Sequence, residues 1–188
     1  LACGIVSLFL AASTLEAAIL DVPGEFATLQ AAIYACGPFD TIRLRGSVTE
    51  HNITIPSNSS ISIYGYGVNP WINGNNRGPI FKLNGRNIRL SLNNLILSYG
   101  RATSSPYDKG GAIYSKNPGG QISINNCTFA NCDATNGGAI WSNGGSLKVD
   151  SSYFQNNSAS NYGGAIFLRN TSYFISWNTQ FYNNYAPF

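Results

Sequence analysis

One short string, Gly-Gly-Ala-Ile followed by an aromatic residue, occurs three times in this chain and limits its fold more than any other feature. The copies begin at Gly110, Gly137 and Gly163, so they are 27 and 26 residues apart. Self-similarity at a fixed period of this size is typical of repeat architectures. A unit of about 26 residues cannot bury its own apolar face, but stacked units bury a continuous core. The repeat therefore predicts a solenoid.

The segments between the glycine strings align in one register from about residue 87 onward. Apolar residues alternate with polar ones, which predicts short strands, three to a unit, each paired with its equivalent in the next unit. Such in-register parallel pairing places like residues above like. The predicted columns are Leu97, Phe129, Phe154 and Phe181; Ile113, Ile140 and Ile166; Tyr114, Trp141 and Phe167; Asn94, Asn126 and Asn178; and Asn131, Asn156 and Asn183.

The N-terminal part of the chain contains the only helical pattern after the first twenty residues. Residues 26–36 have apolar side chains at helical spacing, and Gly37 and Pro38 end the pattern. Period-two alternation begins after Asp40 and continues without a linker. We therefore predict one all-β domain, 21–188, that is a parallel β-helix with an N-terminal capping helix at 26–36 and explicit repeats at 87–188. A sandwich of hairpins would need tight two-residue turns, and the 26-residue recurrence argues against it.

Two stretches resemble known families. Residues 26–55, "FATLQAAIYACGPFDTIRLRGSVTEHNITI", are similar to the opening of right-handed β-helix proteins of the pectate-lyase-like superfamily, with Val48 where a tyrosine is usual. Residues 87–184 resemble the repeats of chlamydial polymorphic outer membrane proteins, whose marks are GGAI and FxxN. Phe154 with Asn157 and Phe181 with Asn184 match the second mark, whereas Cys132 departs from it. The resemblance implies a right-handed β-helix, a scaffold that hosts lyases, hydrolases, adhesins and structural proteins.

The first twenty residues are apolar and nearly free of charge, with small residues at Ala17 and Ala18. This pattern predicts either a secretory signal peptide or a retained, ordered arm over residues 1–20. Only 10% of the chain is charged, against about 25% in average proteins, and its polarity comes from Asn, Ser, Gly and Thr. We expect a secreted, extracellular or cell-surface protein.

The four cysteines have no spacing typical of a zinc site. An exported protein could form disulfides between Cys127 and Cys132 and between Cys3 and Cys36. We predict neither a metal site nor a cofactor.

Five N-x-S/T sequons predict an exported glycoprotein with N-linked glycans. Two of them, Asn126 and Asn156, belong to the asparagine columns, which we expect to face inward and to exclude a glycan. The other three are near turns and are better acceptors: Asn52, Asn58 and Asn170.

Catalysis has few candidate residues in this sequence. Asp108 and Asp133 lie one repeat apart and are the best pair for acid–base or calcium chemistry, and His51 stands beside Glu50. Turn carboxylates and a lone surface histidine are the simpler interpretations. We predict a protein that is not an enzyme, with a polysaccharide lyase, hydrolase or sugar-binding module as the alternative.

Alternation within the glycine strings predicts that the aromatic column of Tyr114, Trp141 and Phe167 faces outward, where it either contacts a partner or is covered by loops. Tyr185 and Phe188, in a final coil that has no cap, are further interface candidates. We therefore predict a structural or adhesive glycoprotein that associates with itself head to tail, as an oligomer or filament, and contacts polysaccharide. A net charge of +3 with no basic run predicts no nucleic-acid partner.

Overall fold

The computed structural model of the chain describes residues 16–68 and 70–188. Over these residues it has one helix, α1 (Leu29–Ala35), and short strands. The strands are β1 (Ile19–Val22), β2 (Thr41–Leu44), β3 (Val48–Thr49), β4 (Ile53–Thr54), β5 (Ser60–Gly65), β6 (Trp71–Asn73), β7 (Phe81–Asn84), β8 (Arg89–Asn93), β9 (Ile96–Ser98), β10 (Arg101–Ala102), β11 (Ile113–Lys116), β12 (Gln121–Asn125), β13 (Thr128–Ala130), β14 (Asp133–Asn136), β15 (Ile140–Asn143), β16 (Ser146–Asp150), β17 (Tyr153–Gln155), β18 (Ser158–Tyr162), β19 (Ile166–Arg169), β20 (Tyr173–Trp177) and β21 (Gln180–Tyr182).

All strand pairs in the described residues are parallel, and each coil adds one strand to each of the main sheets. The seven-stranded sheet has the order β1-β2-β5-β8-β12-β16-β20, and the six-stranded sheet β3-β6-β9-β13-β17-β21. The five-stranded sheet is β4-β7-β11-β15-β19, and the three-stranded sheet is β10-β14-β18. The chain is thus a right-handed parallel β-helix with an N-terminal capping helix, which confirms the predicted fold.

The repeat units differ from the prediction in one respect. They have four strands instead of three, because the segment between the Phe column and the glycine string pairs with its equivalents as the three-stranded sheet. The inward positions of these strands are the buried alanines Ala102, Ala134 and Ala159, whose small side chains give no clear apolar alternation in the sequence.

The pairing register confirms the predicted apolar columns. Ile140 lies between Ile113 and Ile166, and Phe154 lies between Phe129 and Phe181. The three phenylalanine rings are stacked, with centroids 4.8 and 5.0 Å apart. Since Phe129 and Phe154 are fully buried, this stack forms part of the core.

The two glycines of the repeated pair are required for different physical reasons. Gly137 has a φ of 64°, in the left-handed region that favours glycine. Gly138 has no such backbone angle, but a Cβ there would lie 2.1 Å from the carbonyl oxygen of Gly164 in the next coil. The first glycine therefore turns the corner, and the second permits close stacking of the backbones.

The predicted asparagine columns face outward, and the expectation that Asn126 and Asn156 face inward is wrong. Both are exposed and have φ values of 51° and 55°, because they occupy left-handed corners that direct their side chains into solvent. The Asn126 Nδ2 atom donates to Asn94 Oδ1 at 3.1 Å, so these two members of the column are joined to each other on the outside.

The asparagine of the FxxN mark is the one that faces inward. Asn157 is buried, its Oδ1 accepts from the backbone N–H of Cys132 at 3.0 Å, and its Nδ2 donates to the carbonyl of Phe129 at 3.0 Å. Asn184 makes the equivalent bonds to Asn157 N and Phe154 O, at 3.1 and 2.8 Å. These amides join consecutive coils and satisfy backbone groups that the corner leaves unpaired.

The helix α1 closes the N-terminal end of the coil stack. It begins later than the predicted residue 26 because Thr28 is extended and acts as the N-cap, with its Oγ1 accepting from Ala31 N at 3.1 Å. The carboxylate of Glu50 accepts from the backbone N–H groups of Leu29 and Gln30 at 2.8 and 2.9 Å. The Gln30 side chain then bonds the backbone of Thr54 as an added strand would.

The segment predicted as a leader is only partly described. Residues 1–15 lie outside the described residues, whereas Ile19 and Leu20 belong to β1, which pairs with β2. The last two residues of the predicted leader are therefore part of the first coil.

Candidate functional site

The predicted acid pair does not form a carboxylate cluster. Asp108 bonds Lys109 at 2.5 Å, and Asp133 contacts Arg101 at 3.4 Å, so each carboxylate has its own cation. Glu50 caps α1, and His51 Nδ1 lies 2.8 Å from the amide nitrogen of Asn52. Within residues 16–68 and 70–188, no group of three or more His, Cys, Asp or Glu side chains could hold a metal ion.

Cys127 and Cys132 are not joined by a disulfide, in contrast to the prediction. They flank β13, whose three residues alone span about 10 Å, whereas a disulfide needs Cα atoms within about 7 Å. Both thiols are buried, and burial raises the pKa of each to about 12. Cys36 also has a free thiol; Cys3 lies outside the described residues, so its pairing stays a prediction.

The five sequon asparagines occupy corners with positive φ. Asn58, Asn126, Asn156 and Asn170 are exposed, and Asn52 is half-buried. The Asn170 amide donates to Asn143 Oδ1 at 3.0 Å, as part of an external ladder like that of Asn126.

The aromatic column predicted as an interface is largely covered by the chain itself. Tyr114 and Trp141 are only 8% and 7% exposed, and their rings are stacked 5.0 Å apart. Tyr107, in the loop after β10, packs edge-on against Tyr114 at 5.1 Å, and Lys109 Nζ lies 5.9 Å from the Trp141 ring centroid. This loop covers the two rings and removes them from the candidate interface.

The other three interface candidates lie in the last coils. Phe167 is half-buried and tilts against Tyr162 at 5.9 Å, and Phe188 lies 5.9 Å from the same tyrosine. Tyr185 and Phe188 are exposed. Their backbone is joined to the preceding coil, since Tyr185 N donates to Asn157 O at 2.9 Å.

A more regular surface is the outer face of the seven-stranded sheet. One stretch of this face, which we call the Tyr64–Trp177 column, follows the pairing register across five strands, and the same register continues beyond Tyr64 to Arg43 and Asp21. With a strand spacing of about 4.8 Å, its two aromatic ends are about 19 Å apart. The column contains Tyr64, Asn93, Asn125, Asp150 and Trp177.

The aromatic ends of this column are solvent-exposed, Tyr64 by 41% and Trp177 by 58%. Tyr173, on the same strand as Trp177, adds a third exposed ring, whose hydroxyl accepts from Gln121 Nε2 at 3.3 Å. Lys148 Nζ lies 5.8 Å from that ring centroid. The arrangement places aromatic faces at the ends of a row of amide and carboxylate groups.

Sequence reasoning missed this column because it followed the apolar positions of each strand and ignored the polar positions between them. Those positions are visible as the outward residues of the same alternation, so aligning them would have placed Asn93, Asn125 and Asp150 together.

No helix in the described part of the chain has the length and apolar character needed to cross a membrane.

Comparison with protein families matches residues 151–169 to the repeat described as Chlamydia polymorphic membrane protein (Chlamydia_PMP) repeat. This segment contains β17, β18 and β19, and it includes Phe154 and Asn157 as well as the third glycine string. No curated protein and no solved structure matches the chain. The chain is thus a right-handed parallel β-helix with repeats similar to those of Chlamydia polymorphic membrane proteins.

Proposed function

We propose that this chain is a non-catalytic adhesive protein of the cell surface that binds an extended glycan along the Tyr64–Trp177 column. The matched repeat is that of a membrane-protein family, which supports a location at the cell surface. The observation that carries the proposal is the column itself, with exposed aromatic rings at its ends and hydrogen-bonding side chains between them.

The chemistry of the column suits a polysaccharide. Aromatic faces pack against the apolar C–H faces of sugar rings, and the adjoining amides and Asp150 can bond hydroxyl groups. Each side chain stands on a strand that pairs with strands on both sides or, for Trp177, on one side. The sheet thus orients the groups in advance, which lowers the ordering entropy lost on binding.

Binding of the purified chain to a panel of immobilised polysaccharides tests the proposal. We expect Trp177→Ala and Tyr64→Ala each to weaken binding to the retained polysaccharide at least tenfold, because each removes one aromatic end. Tyr34→Ala, which removes an exposed ring on α1, is the matched control and should leave binding unchanged. If all three variants bind like the wild type, the column is not the adhesive surface.

An enzyme acting on the same polysaccharide is the alternative. Glycosidases place two carboxyl groups about 5–9.5 Å apart. Asp150 is the one carboxylate of the Tyr64–Trp177 column, and Asp21 on β1 lies five strands further along, about 24 Å away. Asp21 is also bound by Arg43 at 2.6 Å. This spacing favours binding over hydrolysis. Release of reducing ends or unsaturated products by the wild type but not by Asp150→Asn would overturn the non-catalytic assignment.

The exposed corner asparagines support N-linked glycosylation in a host that has the machinery. Asn58 and Asn156 are the best acceptors, since their side-chain nitrogens donate no hydrogen bond in the described structure. Mass spectrometry of the chain after secretion from a eukaryotic cell would identify occupied sites. Occupancy confined to Asn52 would contradict this ranking.

Self-association is a second proposal, supported by an apolar recess in the last coil. The recess has a volume of about 520 Å³ and is lined by Ile166, Leu168, Phe174 and Phe181. Phe174 and Phe181 are 43% and 50% exposed in this chain, whereas their partners in the preceding coil, Leu147 and Phe154, are fully buried.

When residues 1–188 are studied as an isolated chain, a second copy would cover this recess. Because α1 already covers the core at the opposite end, we propose contact between two such recesses, as in a closed dimer, instead of the filament that the sequence suggested. Sedimentation velocity of the 188-residue chain should give a dimer at micromolar concentration, and Phe181→Glu should give a monomer. A monomeric wild type would refute the proposal, and open-ended polymers would favour the head-to-tail filament.

A further inference from the structure

A polar recess lies at the corner between the six-stranded and five-stranded sheets, away from the Tyr64–Trp177 column. It is bounded on one side by the turn of residues 75–79 and on the other by the loop of residues 102–107, and its volume is about 240 Å³. Sites for drug-sized ligands usually have about 300–1,000 Å³. The recess therefore suits a ligand of about one sugar ring.

Two guanidinium groups line this recess, Arg77 and Arg101. Arg101 Nε contacts Asp133 at 3.4 Å, and this is its one ionic partner in the described residues. Arg77 is exposed and has no carboxylate within 4.0 Å among residues 16–68 and 70–188. With two cations and one carboxylate, the recess has an excess of positive charge that attracts an anion.

Backbone hydrogen bonds hold the floor of the recess. Arg101 N donates to Gly78 O at 3.0 Å, and Asn76 N donates to Tyr99 O at 2.7 Å, so the turn is joined to the next coil. Gly78 has a φ of 144°, and a Cβ there would lie 2.8 Å from Asn52 Oδ1. The Asn52 amide therefore packs directly against the turn.

Aromatic contacts hold the opposite wall. The Tyr107 ring, which lines the recess, packs edge-on against Tyr114, and Lys82 Nζ lies 4.7 Å from its centroid. The loop also supplies the hydroxyls of Thr103, Ser104 and Ser105. The recess thus combines anchored walls, hydroxyl and amide groups, and an unpaired guanidinium.

We infer that this recess binds a single anionic sugar residue, with its carboxylate or sulfate group on Arg77 and Arg101 and its hydroxyls on the loop and on Asn52. A guanidinium fork bonds a planar carboxylate or a sulfate through two parallel N–H donors. The inference is independent of the Tyr64–Trp177 column, since the two sites share no residue.

Titration calorimetry with glucuronate, galactose 6-sulfate and galactose tests the inference. We expect at least one of the two anionic sugars to bind at least tenfold more tightly than galactose, and its affinity to fall as salt is added. The anionic sugar that binds more tightly shows whether the recess prefers a carboxylate or a sulfate group. Equal affinity for all three sugars, or no binding by any, would overturn the inference.

Two substitutions test whether the anionic sugar binds in this recess. Arg77→Gln removes the unpaired charge from an exposed side chain and should weaken binding of the anionic sugar at least fivefold. Arg86→Gln removes an exposed charge elsewhere and should leave it unchanged. An unchanged affinity in Arg77→Gln would exclude this recess. Trp177→Ala should bind the anionic sugar normally, so failure here and failure of the adhesive surface are separate results.

Discussion

The two ends of the described β-helix contain similar apolar side chains in different surroundings. At the N-terminal end, Ile42 and Leu44 of β2 are fully buried, with the buried face of α1 completing the core beside them. At the C-terminal end, Phe174 and Phe181 point the same way from their sheets but are about half exposed. The difference shows that a coil of this type buries only part of its own core and depends on a neighbour for the rest.

At the N-terminal end, the helix α1 makes the hydrogen bonds and the apolar contacts that a neighbouring coil makes elsewhere in the stack. Gln30 bonds the backbone of Thr54 as a strand would, and Glu50 satisfies two N–H groups of the first helical turn. The stack is therefore terminated by polar bonds as well as by apolar cover.

The largest expected effect is at the centre of the phenylalanine stack. Phe154→Ala should lower the free energy of unfolding by about 3–5 kcal/mol, because Phe154 is fully buried between two rings. Phe181→Ala should lower it by about 1–2 kcal/mol, because half of that residue is exposed. Urea unfolding measures both. Equal losses of unfolding free energy in the two variants would mean that the last coil is as fully covered in solution as the middle one.

The inward asparagine should have the next effect. Asn157→Ala leaves the N–H of Cys132 and the carbonyl of Phe129 without a side-chain partner, and should cost about 2–4 kcal/mol in unfolding free energy. Asn156→Gly is the matched control at the adjacent exposed corner, since glycine adopts its φ of 55° freely. Similar losses in the two variants would contradict a special role for the inward amide.

A smaller effect is expected at the cap. Glu50→Ala removes the carboxylate from the first turn of α1 and should cost about 0.5–2 kcal/mol. Hydrogen exchange should accelerate at the amides of α1 and stay unchanged in β16 and β20. His51→Ala, at the neighbouring position, is the control, and the amides of α1 should exchange in it at the wild-type rate. Uniform acceleration throughout the chain would show that the cap stabilises the whole stack.

The smallest effect is the acid sensitivity of the N-terminal end. The hydrogen bond from Arg43 lowers the pKa of Asp21, and the backbone N–H groups of Ala18 and Gly37 lower the pKa of Asp40. A lowered folded-state pKa means that the carboxylate form stabilises the fold. This contribution is complete above the unfolded value of about 3.9 and is lost as the pH falls through the folded-state pKa.

Urea midpoints measured between pH 5 and pH 2.5 test this effect. The double variant Asp21→Asn/Asp40→Asn should lose less stability over this range than the wild type. Glu25→Gln, at an exposed position, should follow the wild-type curve. Identical slopes for the double variant and the wild type would show that these two carboxylates do not contribute.

Several features of the fold were predictable because they repeat. The columns of isoleucine and phenylalanine recur at about 26 residues, and parallel in-register pairing follows from that recurrence. The strands of the three-stranded sheet were not predictable, since their inward residues are alanines and give no large apolar side chain to the alternation. The candidate site was partly predictable: its residues obey the same register and the same outward alternation, but nothing in the sequence shows that no loop covers Tyr64 and Trp177.

By itself, the sequence determined the coil period, the apolar columns, the capping helix and the residues at the corners. It did so because these features depend on local spacing and on backbone angles that Gly and Asn favour. Only the tertiary structure decided that Asn157 faces inward while Asn156 faces outward, and that the loop with Tyr107 covers Tyr114 and Trp141. Those outcomes depend on groups from different coils or from a loop outside the repeat, and on which neighbour excludes water from a side chain. Periodicity in the sequence identifies residues that stack. Their burial depends on contacts with residues whose positions the periodic pattern does not specify.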